Sequence, residues 1–259
     1  MNAVTLNEIV THLDALLRTG ETPDYAAAMN GLQVEHQGPV TRIAAAVDCS
    51  ARTIRGAIDG GANLLLVHHG LFWGGLQPLA GALYRRVRLL LDHDLALYAS
   101  HLPLDAHERF GNSFLLAREI GLVPSAGFAR HETINCGVRG EADLATVELC
   151  SRLSAFARTH GGGVRASAME PGRRTRRWAI CSGAGVTTET LAEARVSRID
   201  TLISGEGPHW SAVDAEERGL VIIYAGHYAT ETLGIRALAE DTATQFGVPW
   251  VWVAAPTGL

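Results

Sequence analysis

Side chains able to ligate a metal ion gather in three short stretches of this sequence. In "NLLLVHHG" four apolar residues run into His68 and His69. In "LYASHLPLD" His101 and Asp105 stand four residues apart, and in "IYAGHYATE" His227 and Glu231 have the same spacing. Each stretch ends an apolar run of strand type, and open α/β sheets place their ligands at the carboxyl ends of strands. A single histidine in such a place is ordinarily a hydrogen-bonded turn residue. An adjacent pair, with His-x-x-x-Asp and His-x-x-x-Glu at equivalent points, shifts the balance toward metal. Imidazoles and carboxylates without cysteine suit two divalent ions bridged by a carboxylate or a water, ~3.5–4 Å apart. Fe, Mn, Zn, Co or Ni fits that set better than a thiolate-bound structural zinc does.

Local geometry refines this reading. Neighbouring side chains on a strand point to opposite faces. His68 and His69 can therefore serve different ions, or both reach one site if the chain turns at Gly70. His227 and Glu231 fall on one face where "ATETLGIRALAE" begins a helix. Pro103 makes "HLPLD" a rigid loop rather than a helix.

The elements that must carry these residues alternate. "TRIAAAVDC" is a strand. "SARTIRGAIDGG" is a helix with Ser50 as N-cap and Gly60-Gly61 as its stop. The second strand "NLLLVHHG", the helix "ALYRRVRLLLDHD" and the third strand "LALYASHLPLD" follow. The same order returns in "RRWAICSG", "TTETLAEARVS", "IDTLISGEGPHW", "SAVDAEERG" and "LVIIYAGHYATE". "NLLLVHHGLFW" aligns with "DTLISGEGPHW", and "LYASHLPLD" with "IYAGHYATE". The expected fold is therefore α/β, with two related units at roughly 41–105 and 177–231 and mixed sheets flanked by helices.

Bulk composition sets limits. The chain has 259 residues, 47% hydrophobic and 19% charged, as in ordinary globular proteins. A formal net charge of −5 argues against a nucleic-acid or anionic-membrane partner. All 22 basic residues are Arg, which excludes a Schiff-base or phosphate-loop lysine. Cys49, Cys136, Cys150 and Cys181 form no Cys-x-x-Cys pair and read as reduced, buried residues. The N-terminal "MNAVTLNEIVTHLDALLRTG" reads as an amphipathic helix and not a signal peptide, and no apolar run reaches membrane-spanning length. The expected location is the cytoplasm.

"NGLQVE" (Asn30 to Glu35), "VHHGLFW", "HLPLDAH", "GNS" (Gly111 to Ser113), "SGEGPH" and "AGHYATE" together resemble the Nif-three-like family, whose members carry the name GTP cyclohydrolase I type 2 homologue. The motifs run in the family's order from about residue 25 to 240. No long central insert is present, so the chain resembles the short form. The resemblance implies a dinuclear metal centre and a toroidal homohexamer. Carried onto matching positions, it implies His68, His69, Asp105, His227 and Glu231 as ligands of two divalent ions. His101, Glu206 and His209 then fall behind the ligands or at the substrate. The implied domains are 1–127 with 226–259, carrying the metal site, and 128–225, with the dinuclear site in the cleft between them.

Two functions compete. A metal-dependent hydrolase would use a metal-bridging water, with Glu206 or His101 moving the proton. Its substrate would be a small molecule, with nucleotides, phosphoesters and cyclic amidines all compatible. A metal-handling or metal-sensing hexamer would need no base. Other signals carry less. "RRTRR" (Arg173 to Arg177) in the polar loop "MEPGRRTRRW" reads as solvated, "THGGGVRAS" as a flexible turn, and "GEADLATVEL" as the start of an amphipathic helix. Trp73 and Trp210 are expected to pack on neighbouring helices.

Overall fold

The structure is a computed structural model that describes residues 3–73 and 75–259; Met1, Asn2 and Gly74 lie outside the described residues. The chain begins α1 (Leu6–Leu17), β1 (Gly31–Val34), β2 (Ile43–Asp48), α2 (Ala51–Asp59), β3 (Leu64–His69), α3 (Gly81–Asp92), β4 (Ala96–Ala99) and α4 (Leu102–Asp105). There follow α5 (Asn112–Glu119), β5 (Ala126–His131), β6 (Ile134–Ala145), α6 (Thr146–Thr159), β7 (Arg165–Ala166) and β8 (Arg174–Cys181). The remainder is α7 (Thr188–Val196), β9 (Thr201–Ser204), α8 (His209–Glu217), β10 (Val221–Tyr224), α9 (His227–Thr230), α10 (Thr232–Phe246) and β11 (Trp250–Trp252). None of the helices is long and apolar enough to cross a membrane, among the described residues.

Two compact units form. The first holds the chain up to His107 together with Gly234–Ala255, and the second holds Glu108–Leu233 with Pro256–Leu259. The division between the two units falls at 107/108 and 233/234. It has a packing cause. Leu116 and Ala117 of α5 and Ala229 of α9 are buried in the core of the second sheet. His227 and Glu231 therefore belong to the second unit.

The first unit carries a sheet in the order β1-β4-β3-β2-β11. β11, β2, β3 and β4 run parallel, and β1 is the antiparallel edge. β3 is central, so both of its faces are covered and "LLLV" is apolar throughout: Leu64 to Val67 are each 0% exposed. Leu65 and Val67 pack with Leu97, Ile54 of α2 and Leu90 of α3. On the alternate face of β4, Tyr98 donates its hydroxyl to Asp14 of α1 at 2.9 Å. Ser50 caps α2 as the sequence indicates: its Oγ accepts the Thr53 N–H, and Thr53 Oγ1 accepts the Ser50 N–H. Such a cap stabilises by about 1 kcal/mol.

The second unit carries the order β5-β6-β8-β9-β10-β7, with β8, β9 and β10 parallel. Trp178, Ile180, Ile203 and Ile223 face α5 and α6, while Ala179, Leu202 and Ile222 face α7 and α8. The repeat read in the sequence is present as β2-α2-β3-α3-β4-α4 and β8-α7-β9-α8-β10-α9. Each copy ends in a one-turn helix.

Several local expectations are corrected. "HLPLD" is a helical turn, because Pro103 sits in its first turn, where no N–H is needed. "GEADLA" continues β6, and the helix starts only at Thr146. A register shift between Glu141 and Leu144 breaks the strand's alternation there. Arg174 to Arg177 are not loop but the start of β8. Arg174 Nε is held to Asp143 Oδ1, and the Arg177 N–H donates to Asp200 Oδ2. Within "THGGGVRAS", Arg165–Ala166 pairs as the short edge strand β7 against β10.

Candidate functional site

In the first unit the carboxyl ends of β2, β3 and β4 bring three imidazoles together. His68 and His69 close β3, and their ring centroids lie 4.7 Å apart. His101, the residue before α4, stands 5.1 Å from His68 and 5.7 Å from His69 between ring centroids. One ring nitrogen from each falls within 4.8 Å of the others. Asp105 closes α4, and its Oδ2 is 3.5 Å from His68 Nε2. Gly70 lets the chain turn away after the pair: a Cβ there would strike the side-chain amide of Gln33.

The opposite edge of each ring is bound to oxygen. His68 Nδ1 donates to the Ser100 carbonyl, His69 Nδ1 to Asp48 Oδ1, and His101 Nδ1 to Asp24 Oδ1, each at 2.9 Å. A carbonyl or an ionised carboxylate can only accept, so Nδ1 carries hydrogen in all three. In the neutral ring the lone pair is then on Nε2. Burial pushes the Asp24 carboxyl up, but the hydrogen bond and charge of His101, with Asn30 and the Leu102 N–H, outweigh it and hold its pKa below the usual range.

The second unit places one imidazole between two carboxylates beyond β9 and β10. Gly226, at φ +94°, turns the chain out of β10 into α9. His227 Nδ1 donates to Glu206 Oε1 at 2.7 Å, and His227 Nε2 lies 3.0 Å from Glu231 Oε2. Glu231 is only 3% exposed. Gly183, at φ +59°, holds this corner: its N–H donates to Thr230 Oγ1 and its carbonyl accepts the Glu206 N–H. A Cβ on Gly183 would overlap Glu231 Oε1. Burial works against charge on His227. The hydrogen bonds and charges of Glu231 and then Glu206 prevail and raise its pKa to about 9.

These residues fit a divalent cation. Metal–nitrogen and metal–oxygen bonds of about 2.0–2.2 Å set neighbouring donors about 3–3.5 Å apart. The pairs His68–Asp105 and His227–Glu231, at 3.5 and 3.0 Å, meet that spacing. The donors are imidazole and carboxylate, the set that Zn, Fe, Mn, Co and Ni accept.

Of the sequence-derived residues, His68, His69, His101 and Asp105 come together in the first unit, and Glu206, His227 and Glu231 in the second. His209 is exposed at the start of α8, and Trp210 is 46% exposed. Trp73 lies edge-on to the rings of His69 and His101, its centroid 5.4 and 4.7 Å from theirs. Asp24, Asp48 and Gly183 were not singled out in the sequence. The His101–Asp24 and His69–Asp48 bonds span 77 and 21 residues, and neither acid belongs to a motif of ligand spacing.

Two parallel-stranded units, each with imidazole and carboxylate side chains gathered at its strand ends, define an α/β protein. The Duf34/NIF3 (NGG1p interacting factor 3) profile matches residues 4–255, and the chain belongs to that family. A GTP cyclohydrolase 1 type 2 homolog of Deinococcus radiodurans is 39% identical, covering 98% of this chain and 94% of the relative. One from Halobacterium salinarum is 42% identical over 91% and 93% of the two chains. The crystal structure of TTHA1606 from Thermus thermophilus is similar at a TM-score of 0.88 and 37% identity, covering 99% of this chain and 100% of that one.

Proposed function

We propose that the chain binds two divalent metal ions through His68, His69, Asp105, His227 and Glu231 and serves as a metal-dependent hydrolase of a small molecule, of the GTP cyclohydrolase type 2 kind. The observation that carries the reading is the shared posture of four imidazoles: His68, His69, His101 and His227 each give Nδ1–H to an oxygen acceptor. Metal-ligating histidines are oriented in this way. When bound, a pair of divalent ions polarises a substrate oxygen and makes water a nucleophile near neutral pH.

The chain's own part is orientation and proton movement. Glu206, with its side chain 45% exposed, accepts the His227 Nδ1 proton and faces solvent, where it could exchange one. His101 stands beside the His68–His69 pair with its Nδ1 held by Asp24. Family membership supports a homohexamer.

One observation favours a non-catalytic, metal-handling role instead: the Glu206 carboxylate is already bonded to His227, as a supporting group would be. Elemental analysis of the protein as isolated, followed by hydrolysis assays on nucleotides, phosphoesters and cyclic amidines with Mn, Fe, Zn, Co and Ni in turn, tests the proposal. Turnover that depends on one of these ions supports the hydrolase. Tight uptake and transfer of metal with no turnover supports metal handling.

A further inference from the structure

Asp24 lies outside every strand-end motif, yet its carboxylate accepts hydrogen bonds from the Tyr25 N–H, Asn30 Nδ2, His101 Nδ1 and the Leu102 N–H at 2.7, 2.8, 2.9 and 3.0 Å. Its side chain is 6% exposed. Asn30 closes the loop from the other side, since its Oδ1 accepts the His101 N–H at 2.7 Å. His101 is therefore gripped at both backbone and ring by the segment 24–30. Gln33, just beyond, ties the same segment to the turn after His69. It accepts the Leu71 N–H at 2.7 Å and donates to the Met29 carbonyl at 2.6 Å.

We propose that Asp24 is a positioning residue for His101: it fixes the Nδ1–H tautomer and thereby makes His101 Nε2 a third imidazole donor, beside His68 and His69, for a divalent cation. The inference rests on the metal-binding reading above and adds His101 to the five ligands named there. Its logic is that of acceptor chemistry. An ionised carboxylate surrounded by four donors has no hydrogen to give, so the imidazole facing it must donate. An amide in the same place can present N–H to Nδ1 instead, which selects the opposite tautomer and puts hydrogen on Nε2. A metal ligand so blocked loses affinity by roughly 10–100-fold.

Two measurements on Asp24→Asn test this. Nitrogen-15 NMR of the metal-free protein reads the His101 tautomer, and competition with a chromogenic chelator reads zinc affinity. The expected results are Nδ1–H in the wild type, Nε2–H in Asp24→Asn, and zinc affinity lower in the variant by roughly 10–100-fold. His101→Ala should lose zinc affinity similarly, and adding Asp24→Asn to it should cost little more, because both changes remove one donor. A merely structural Asp24 would give additive losses. The proposal is overturned by an Nε2–H ring in the wild type, by a tautomer unmoved in Asp24→Asn, or by zinc affinity unchanged in Asp24→Asn or in His101→Ala. Should Asp24→Asn not fold, the wild-type tautomer and the His101→Ala affinity still decide. A wild-type chain that takes up no zinc or other divalent ion sinks the metal reading itself. A chain that binds zinc as tightly without the Asp24 carboxylate sinks only this inference.

Discussion

His227 Nε2 and Glu231 Oε2 face each other across 3.0 Å, one helical turn apart, with Glu231 almost wholly buried. A buried carboxylate is costly unless a cation or a hydrogen-bond donor answers it. In the metal-free chain a proton on Nε2 meets that need, and a divalent ion shared by the same two atoms would replace it. Glu231→Ala and His68→Ala should each remove metal while leaving the fold, because the clusters stand at strand ends and the cores are apolar without them. Elemental analysis and circular dichroism of the purified variants check this, and full metal content in both would take these residues out of the ligand set.

The same pair predicts how the metal-free protein responds to pH. His227 has its pKa raised from 6.5 to about 9, so it binds its proton more tightly folded than unfolded. Stability from this group is complete below pH 6.5 and is lost as pH rises through about 9. Denaturant unfolding of the metal-free chain should show that decline, and His227→Gln should flatten it. A wild-type profile level over this interval would show that Glu231 and Glu206 do not hold the proton.

Gly183 is the residue of the second cluster least able to change. Its backbone is left-handed at φ +59°, and any Cβ there runs into Glu231 Oε1. Gly183→Ala should therefore push Glu231 off His227 and weaken metal binding by at least as much as losing a supporting contact, roughly 10-fold or more. The strained backbone adds about 1 kcal/mol of destabilisation. Metal titration together with thermal unfolding measures both, and a variant that binds metal like the wild type would mean the corner has room to relax.

What the sequence made legible and what it hid have physical causes. The ends of β3, β4 and β10 were legible because a buried parallel strand is apolar on both faces, so the polar residues that follow "LLLV" or "VIIY" stand out. The Ser50 cap was legible because capping is local. Asp24, in a loop, and Asp48, at the end of β2, were hidden because such an acid looks the same in sequence whether it meets water or an imidazole 77 or 21 residues away. The length of β6 was hidden by its bulge, and α4 by a proline that only a first helical turn tolerates.

Glu206 offers the sharpest division between the two functions. Its carboxylate holds His227 Nδ1 at 2.7 Å while its side chain remains 45% exposed. Glu206→Gln keeps an oxygen that can accept the same hydrogen, and a half-exposed amide can turn to present it, so His227 should stay in place. Metal affinity should fall only modestly, by about 10-fold. Charge and proton capacity, however, are gone. If Glu206 carries the proton of a hydrolytic step, the rate at saturating metal should drop on the order of 10²–10⁴-fold. If the chain only holds and delivers metal, transfer to an apoprotein should proceed nearly as before, since no proton needs to be moved for it. Measuring turnover and transfer on the same metal-loaded variant separates the cases: equal turnover in variant and wild type would remove Glu206 from the chemistry and leave it as the support of His227.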